Sequence, residues 1–495
     1  MNASGKPPHE LAEPHKVYDA PWPTLSLGEL AANEPNSITD GPFGSKLKSE
    51  HYTESGPRVI RLQNIADTAF VDARAHISEA HYSTLQKHRV FAGDLVIAAL
   101  GENPPRSCIV PASLGPAIVK ADCIRFKAGP RILPNFLNYV LNSPDLRRYA
   151  KGIIHGVGRP RLNLGEIKSL PIPVPPLPQQ RRIVAEIEKK LTRLDAGVAA
   201  LRRAQANLKR YRDAVLKAAC EGRLVPTEGE LATAENRKFE AGDELLTRIL
   251  NERREKWQGH GKYEEPAVPD AAKFAPLPDG WTWARAEQLC ELITKGTTPS
   301  ASKMFASADE IPFIKVYNLT FSGALNLGYK PVFISRSTHA VDLKRSEVRS
   351  GDILINIVGP PLGQVSIVPS SVGEANINQA IARFRVVFPE CRKALAIFLM
   401  TKHVIDWALR RAKTTAGQSN LTLELCRDLP IPLPPLTEQT RIVAEVERRL
   451  SVIKELEAAV SASLKRAARL RQSILQQAFT GRKGPLFDET SVRAN

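Results

Sequence analysis

Apolar residues recur at threes and fours along two stretches of this chain. In the first, Ile183, Ile187, Leu191, Leu194, Val198, Leu201, Leu208, Tyr211 and Val215 keep that spacing; in the second, Ile442, Val446, Leu450, Ile453, Val460, Leu464 and Ile474 keep it. The period gives each stretch an apolar seam along one face of a helix. Neither contains a proline after its start, so each predicts an unbroken helix of about 40 residues, roughly 60 Å long at about 1.5 Å per residue. Prolines at 171, 173, 175, 176 and 178 hold the preceding chain extended and remove backbone donors. The first helix is therefore expected to begin near Gln179, and Thr437, before Glu438, is expected to cap the second.

The two stretches are copies of one another. Residues 170 to 191, LPIPVPPLPQQRRIVAEIEKKL, and 429 to 450, LPIPLPPLTEQTRIVAEVERRL, share 15 of 22 positions at an offset of 259. The register continues without a gap until Ala219, Gly222 and Arg223 face Ala478, Gly481 and Arg482. A chain built from two copies of one unit tends to hold two copies of one job. Two long helices with matching seams are expected to pack as a coiled-coil-like pair. Related halves associate through equivalent faces, which favours an antiparallel pair with pseudo-twofold symmetry and a globular head at each end.

The heads repeat more weakly. Val59–Ile65 (VIRLQNI) matches Phe313–Leu319 (FIKVYNL), Gly93-Asp94 matches Gly351-Asp352, Ile109-Val110-Pro111 matches Ile367-Val368-Pro369, and Arg125-Phe126 matches Arg383-Phe384. These are short β-rich runs bounded by glycine and proline. In each head one helical stretch follows, near 134–150 and 392–412. The fold class expected is α/β: two mixed α/β heads on a shared frame, separated by two long antiparallel helices. A shared frame with different loops suits two readers of different targets.

Charge points toward a polyanion. Lys plus Arg number 69 against 52 Asp plus Glu, a net +17 with a pI near 9.6. Residues 178–223 hold 12 basic and 5 acidic side chains, and residues 437–483 hold 10 and 5. Phosphate contacts and counterion release would use that excess, although a solvated helix face would carry the same charges. The six cysteines are scattered without CxxC or Cys/His spacing, which supports neither a zinc ribbon nor a disulfide framework and fits a reducing cytoplasm. No run of apolar residues is long enough for a membrane span.

Catalytic patterns are weak. Asn103-Pro104-Pro105-Arg106 resembles the Asn-Pro-Pro-aromatic motif of amino-methyltransferases, but Arg106 stands where the aromatic belongs, and the second head has Gly359-Pro360-Pro361-Leu362. Glu188-Lys189-Lys190 has the acid-x-lysine form of a nuclease site, yet it falls inside a helical stretch without an upstream aspartate. No GxxxxGK[ST] phosphate loop is present, which argues against a motor.

Two variable heads, each ending in LPIPxPPLxxQ before a helix with an Ile-Val-Ala-Glu core, resemble the specificity subunit of a Type I restriction-modification system. The connector segment from Glu244 to Trp257, ELLTRILNERREKW, is similar to the family's stretch after its first long helix. The resemblance implies a non-catalytic subunit whose target recognition domains each read one half of a bipartite double-stranded DNA sequence. It implies two modification subunits carrying S-adenosylmethionine for adenine methylation, and restriction subunits that can join with ATP and Mg. The domains expected are a tail (1–17), a first recognition domain (18–170), a proline lead-in with the first spacer helix (171–223), a connector (224–270), a second recognition domain (271–429), the second lead-in and helix (430–482), and a tail (483–495).

Readers of duplex DNA need phosphate grips from Lys, Arg and backbone amides, and base-edge partners such as Arg for guanine and Asn or Gln for adenine. The candidates in the first head lie in the 41–48 loop with Lys46 and Lys48, at Gln63 and Asn64, and at Arg159, Arg161 and Asn163. In the second head they are Lys295, Thr297, Thr298, Tyr317, Asn318, Gln418, Ser419 and Asn420. Asn64 and Asn318 could instead cap strand ends. The repeated helix starts offer Arg182 and Glu186, and Arg441 and Glu445, as docking contacts for the modification subunits. Two other functions fit parts of the pattern: a basic coiled-coil scaffold with only nonspecific nucleic-acid binding, and a fused or decayed methyltransferase.

Overall fold

The computed structural model describes residues 18, 22–101, 103–155, 160–257, 262–306, 310–359, 361–415 and 418–479. Both apolar seams are single helices, Leu177–Cys220 and Leu436–Phe479, each of 44 residues. Each begins before the expected point. Pro178 lies in the first turn, where a missing N–H removes nothing the helix needs. Thr437 likewise lies inside the first turn rather than before it, and its hydroxyl bonds to Glu228.

The prolines before each helix form an edge ladder. Thr24–Ser26 pairs antiparallel with Pro171–Pro173, and Thr282–Arg285 with Pro430–Leu433. Leu27 N donates to Leu170 O and Val174 N to Pro23 O, both at 2.9 Å, so Pro171 and Pro173 fall at the intervening positions where no donor is required. Alternating prolines thus enforce an extended segment without breaking its pairing.

The chain divides into two compact units, Met1–Arg202 with Ser461–Asn495, and Arg203–Val460. The division cuts each long helix, so each unit joins a head to the start of one helix and the end of the other. In the first unit, Ile183, Ile187 and Leu191 share a core with Ile474, Leu475 and Phe479; Phe479 meets Phe136 edge-on at 5.5 Å. In the second, Val215, Leu216 and Cys220 share a core with Ile442, Val443 and Val446. Start beside end in each unit means that the helices run antiparallel. Val198, Leu201 and Leu208, mid-seam, are only half-buried, as expected where a seam is covered by one neighbour rather than a head.

The heads share one topology. In the first, a four-stranded antiparallel sheet runs Ile38–Asp40, Cys123–Phe126, Leu95–Ala98, Arg106–Ile109. In the second the same order is Cys290–Lys295, Ile381–Val386, Ile353–Asn356, Val365–Ile367. A second sheet in each head centres on a parallel pair, Tyr52–Ile60 with Ala117–Val119 and Ile311–Ile314 with Ala375–Ile377. Two helices, Pro134–Leu141 and Pro144–Lys151, follow the sheets in the first head, where one was expected; Arg392–Leu399 and Lys402–Leu409 follow them in the second. Ser143 caps the second helix of the first head by accepting from Leu146 N.

The runs matched in sequence build this frame. Asp94 accepts from Phe91 N and from the Arg125 Nε at 2.7 Å, with both side chains buried. Asp352 likewise accepts from Arg349 N, but its bidentate partner is Arg385, while its matched Arg383 stands 4.0 Å away. A buried carboxylate with such partners ties a turn to the sheet. All six cysteines are free and buried. No helix among the described residues is long and apolar enough to cross a membrane.

Candidate nucleic-acid interface

In both heads the strand ends that carry the expected contact residues lie at one edge of the sheets. The strand Ile38–Asp40 exits at Gly41, where a Cβ would stand 2.1 Å from the Lys120 carbonyl carbon; Cys290–Lys295 exits at Gly296, where a Cβ would stand 2.0 Å from Ile377 O. Only glycine permits that close crossing. Beyond each glycine the chain becomes exposed, at Phe43 to Lys46 in one head and at Thr297 and Thr298 in the other.

In the first head the structure brings the 41–48 loop to the 160–163 segment. The Arg161 guanidinium lies 5.3 Å from the Phe43 ring centroid and its Nε is 3.0 Å from Asp122 Oδ1. Arg161 also bridges Leu100 and His155 through its backbone. Lys46 and Lys48 are exposed, and Lys48 Nζ lies 3.5 Å from Glu50. Asn163 serves the fold, capping the helix Leu164–Lys168 by accepting from Glu166 N at 2.9 Å. Arg159 lies outside the described residues.

The second head assembles the same edge from different side chains. Gly296 N donates to Ile381 O, Thr297 N to Ile377 O, and Gln379 N to the Thr298 hydroxyl. Gln418–Asn420 pairs with Val358–Gly359 and with Lys413–Thr415 in a small three-stranded sheet. Leu421 N to Ile357 O and Ile357 N to Ala380 O join that sheet to the 378–381 turn, so the 295–298 and 418–420 candidates share one edge. Lys295 is exposed, and Ser419 and Asn420 are half-buried.

Asn64 and Asn318 are pins rather than free base-edge partners. Asn64 is buried; its Oδ1 accepts from Arg61 N, and its Nδ2 donates to Val71 O and Ala73 O, all at 2.8 Å. Asn318 is buried too; its Oδ1 accepts from Lys315 N, and its Nδ2 donates to Asn326 O and Tyr329 O, all at 2.9 Å. Both are buried with both N–H donors used and the oxygen engaged, so neither side chain is free to offer a base the donor and acceptor pair that adenine needs. Their neighbours Gln63 and Tyr317 are the exposed members of each pair. The Tyr317 hydroxyl is pushed up by burial, with Lys330 opposing.

Several side chains on this edge were not among the expected candidates: Lys120, Asp122 and Gln379. Lys120 and Asn378 sit at equivalent turns after the matched parallel strands, a place that strand matching alone could have marked.

The repeated helix starts differ in surroundings. Arg182 is exposed and Glu186 half-buried. Arg441, its counterpart, lies 2.6 Å from Glu228, a buried carboxylate that also meets Arg237 at 2.6 Å. Burial alone would raise Glu228, but hydrogen bonds from Arg441, Arg237 and Thr437 hold it below the ordinary carboxylate range. Hydrogen bonds from Arg448 and Arg449 bring Glu445 down to about 2. Arg441 and Glu445 are thus already engaged within the chain, whereas Arg182 presents an exposed side chain.

The residues of the weak catalytic patterns hold the fold. Pro105 O accepts from Arg147 Nε, and Arg147 pairs with Asp67 at 2.7 Å. Glu188 accepts from Asn135 Nδ2. Burial pushes Cys108, Cys123, Cys220, Cys391 and Cys426 up to about 12, unlike the low values of reactive thiols.

Residues 106–209 and 278–466 match the sequence profile of the family described as Type I restriction modification DNA specificity domain. The chain is 25% identical over 477 residues to the Type I restriction enzyme EcoBI specificity subunit of Escherichia coli, covering 94% of this chain and 86% of that protein. It is 21% identical over 432 residues to the StySPI specificity subunit of Salmonella potsdam, covering 86% and 81%. A solved chain from work on complex assembly and conformational transition of the type I R-M system shares the fold, with a TM-score of 0.61 at 21% identity over 93% of this chain and 98% of that one.

Proposed function

The chain belongs to the Type I restriction-modification DNA specificity family, whose profile covers more than half of it, and from that premise we infer that it is the sequence-reading, non-catalytic subunit of such a complex. Each head reads one half of a bipartite duplex target. The observation that carries this reading is the repeated sheet order with unlike side chains at one edge: Phe43, Lys46 and Arg161 in one head, and Lys295, Thr297, Thr298, Ser419 and Asn420 in the other. Identical frames place the two edges equivalently, while different loops let them prefer different bases.

The long helices set the separation of the two half-sites. Modification subunits, two per chain, dock at the repeated helix starts and bring S-adenosylmethionine for adenine methylation. Restriction subunits with ATP and Mg act only when they join, and the whole complex works in the cytoplasm.

The test is binding of the chain with its modification subunit to its own bipartite duplex and to a scrambled duplex at one salt concentration. A reader prefers its target by about a thousandfold or more, and the logarithm of its affinity falls linearly with log salt as phosphate contacts release counterions. Equal affinity for both duplexes would leave only a basic scaffold. Mass measurement of the complex at saturation is expected to give two modification subunits per chain; one would refute the duplicated dock.

A further inference from the structure

We propose that the loop Leu319–Lys330, held by the Asn318 pin, is a base-reading element of the second head, with Tyr317 and Tyr329 as its contact surface and Lys330 as its phosphate grip. The proposal rests on the reading of the heads as DNA readers.

Both heads build a pinned loop in the same way. Asn64 O accepts from Val71 N and Asn318 O accepts from Asn326 N, so each asparagine closes its loop with backbone and side chain together. What the loops present is different. The second carbonyl held by the side chain lies 9 residues on in the first head and 11 in the second, so the second loop is longer. The first exposes Val71, where it closes on Asn64, and its carboxylates are paired, Asp72 with Arg58 and Asp67 with Arg147. The second exposes Tyr317 (37%), Phe321 (44%) and Tyr329 (49%).

These rings are fixed. Tyr317 and Tyr329 meet edge to face at 5.8 Å and 83°, and the Tyr317 hydroxyl donates to Lys330 O at 3.1 Å. Lys330 adopts a left-handed backbone (φ 47°), and its Nζ lies 5.4 Å from the Tyr329 centroid. Behind them, Gln364 Nε2 donates to Leu319 O, Thr320 N donates to the Ser366 hydroxyl, and that hydroxyl donates to Ala324 O. A surface so tied loses little entropy when it meets a partner.

Charge selects the partner. From Ile311 to Val341 the sequence contains no Asp or Glu, but it contains Lys315 and Lys330, with Arg336 paired to Glu374 at 3.2 Å. Exposed aromatic rings in a stretch of sequence without carboxylates, flanked by lysines, complement a polyanion that also offers an apolar contact. In duplex DNA that apolar contact is the thymine methyl, set among the polar base edges of the major groove, and Lys330 neutralises a phosphate. This gives the second head a reading chemistry that the first, with Gln63 and Ala73 in the corresponding places, does not share.

The test uses the complex with the modification subunit and duplexes carrying its target, with base changes and deoxyuridine-for-thymidine changes in either half. Tyr329→Ala is expected to weaken binding about tenfold, the scale of one lost base match in a duplex site. It should flatten the penalty for changes in the second half-site and leave the first half-site as in the wild type. Tyr329→Phe keeps the ring and is expected to retain the preference. Lys330→Ala should weaken all duplexes alike and reduce the salt slope by about one. Unchanged half-site preference in Tyr329→Ala overturns the proposal, and if modification-subunit binding falls instead, the rings face protein. Should the wild type show no half-site dependence, the reading of the heads fails first and this inference with it.

Discussion

Arg212 and Arg471 stand at equivalent positions of the two copies, and each reaches a carboxylate on the opposite long helix, Arg212 at 2.9 Å from Glu457 and Arg471 beside Asp195. The acids are not equivalent: the counterpart of Asp195 is Lys454 and that of Glu457 is Val198. The duplication therefore kept the arginines and found a partner for each independently. Arg212 is mostly buried and Glu457 about one-third exposed, so a double-mutant cycle on this pair is expected to give a coupling near 1 kcal/mol, at the upper end for ion pairs open to solvent. Denaturant unfolding of the two single variants and the double variant measures it. Additive losses would remove this link from the helix pairing.

The asparagine pins carry a stability prediction that does not depend on DNA. Asn318→Ala leaves Lys315 N, Asn326 O and Tyr329 O without their side-chain partner, and Asn64→Ala does the same to Arg61 N, Val71 O and Ala73 O. Each substitution is expected to cost about 2–3 kcal/mol, since buried groups stranded without a partner cost about 1–3 kcal/mol. Chemical denaturation of each variant measures the loss. A cost below about 0.5 kcal/mol, the scale of ordinary surface changes, would contradict the pin assignment.

Glu438 makes a pH prediction. It is buried, accepts from Trp281 Nε1 at 3.0 Å and from Glu228 N at 2.8 Å, and burial raises it above the ordinary carboxylate value. A raised acid favours the protonated fold, so its contribution is fully present below its unfolded value and is lost as pH rises through the folded one. Glu438→Gln, which installs the residue found at the equivalent Gln179, removes that loss. The stability difference between variant and wild type should move in the variant's favour as pH rises from below the ordinary carboxylate value through the raised one. Glu228, lowered by its arginines, works in the opposite sense: its contribution is present above its unfolded value and is lost as pH falls through the folded one. A flat difference for Glu438→Gln would contradict the raised value.

Much of the frame was legible because it rests on periodic features. The 3.6-residue seam gave both long helices, and the matched runs around Asp94 and Asp352 gave the sheets. The first helix start was missed by two residues because proline in a first turn reads like proline before it, and the second because Thr437, expected as the cap, lies inside its first turn. The contact edge was harder to read. Asn64 and Asn318 looked like base-edge partners because their type suits adenine, yet the carbonyls that saturate them come from loops with no common sequence. Arg441 looked equivalent to Arg182 until the connector brought Glu228 onto it. Neither fact is encoded within reach of local spacing.

If the long helices set the half-site separation, lengthening both should lengthen the unread spacer. Four residues inserted near Ala199 and near Ala458 together add about 6 Å of helix, which can widen the spacer by one or two base pairs at about 3.4 Å each. Methylation mapping should then show the same half-sites farther apart. Full activity with an unchanged spacer would refute the helical ruler.

The most direct test of the central claim, one half-site per head, is genome-wide methylation mapping of cells expressing the modification subunit with either this chain or a version whose residues 18–170 come from a relative. The account predicts a bipartite motif with an unread spacer for the native chain, and for the exchanged chain a motif in which one half has changed and the other is identical. A continuous motif, or a change in both halves, would contradict it.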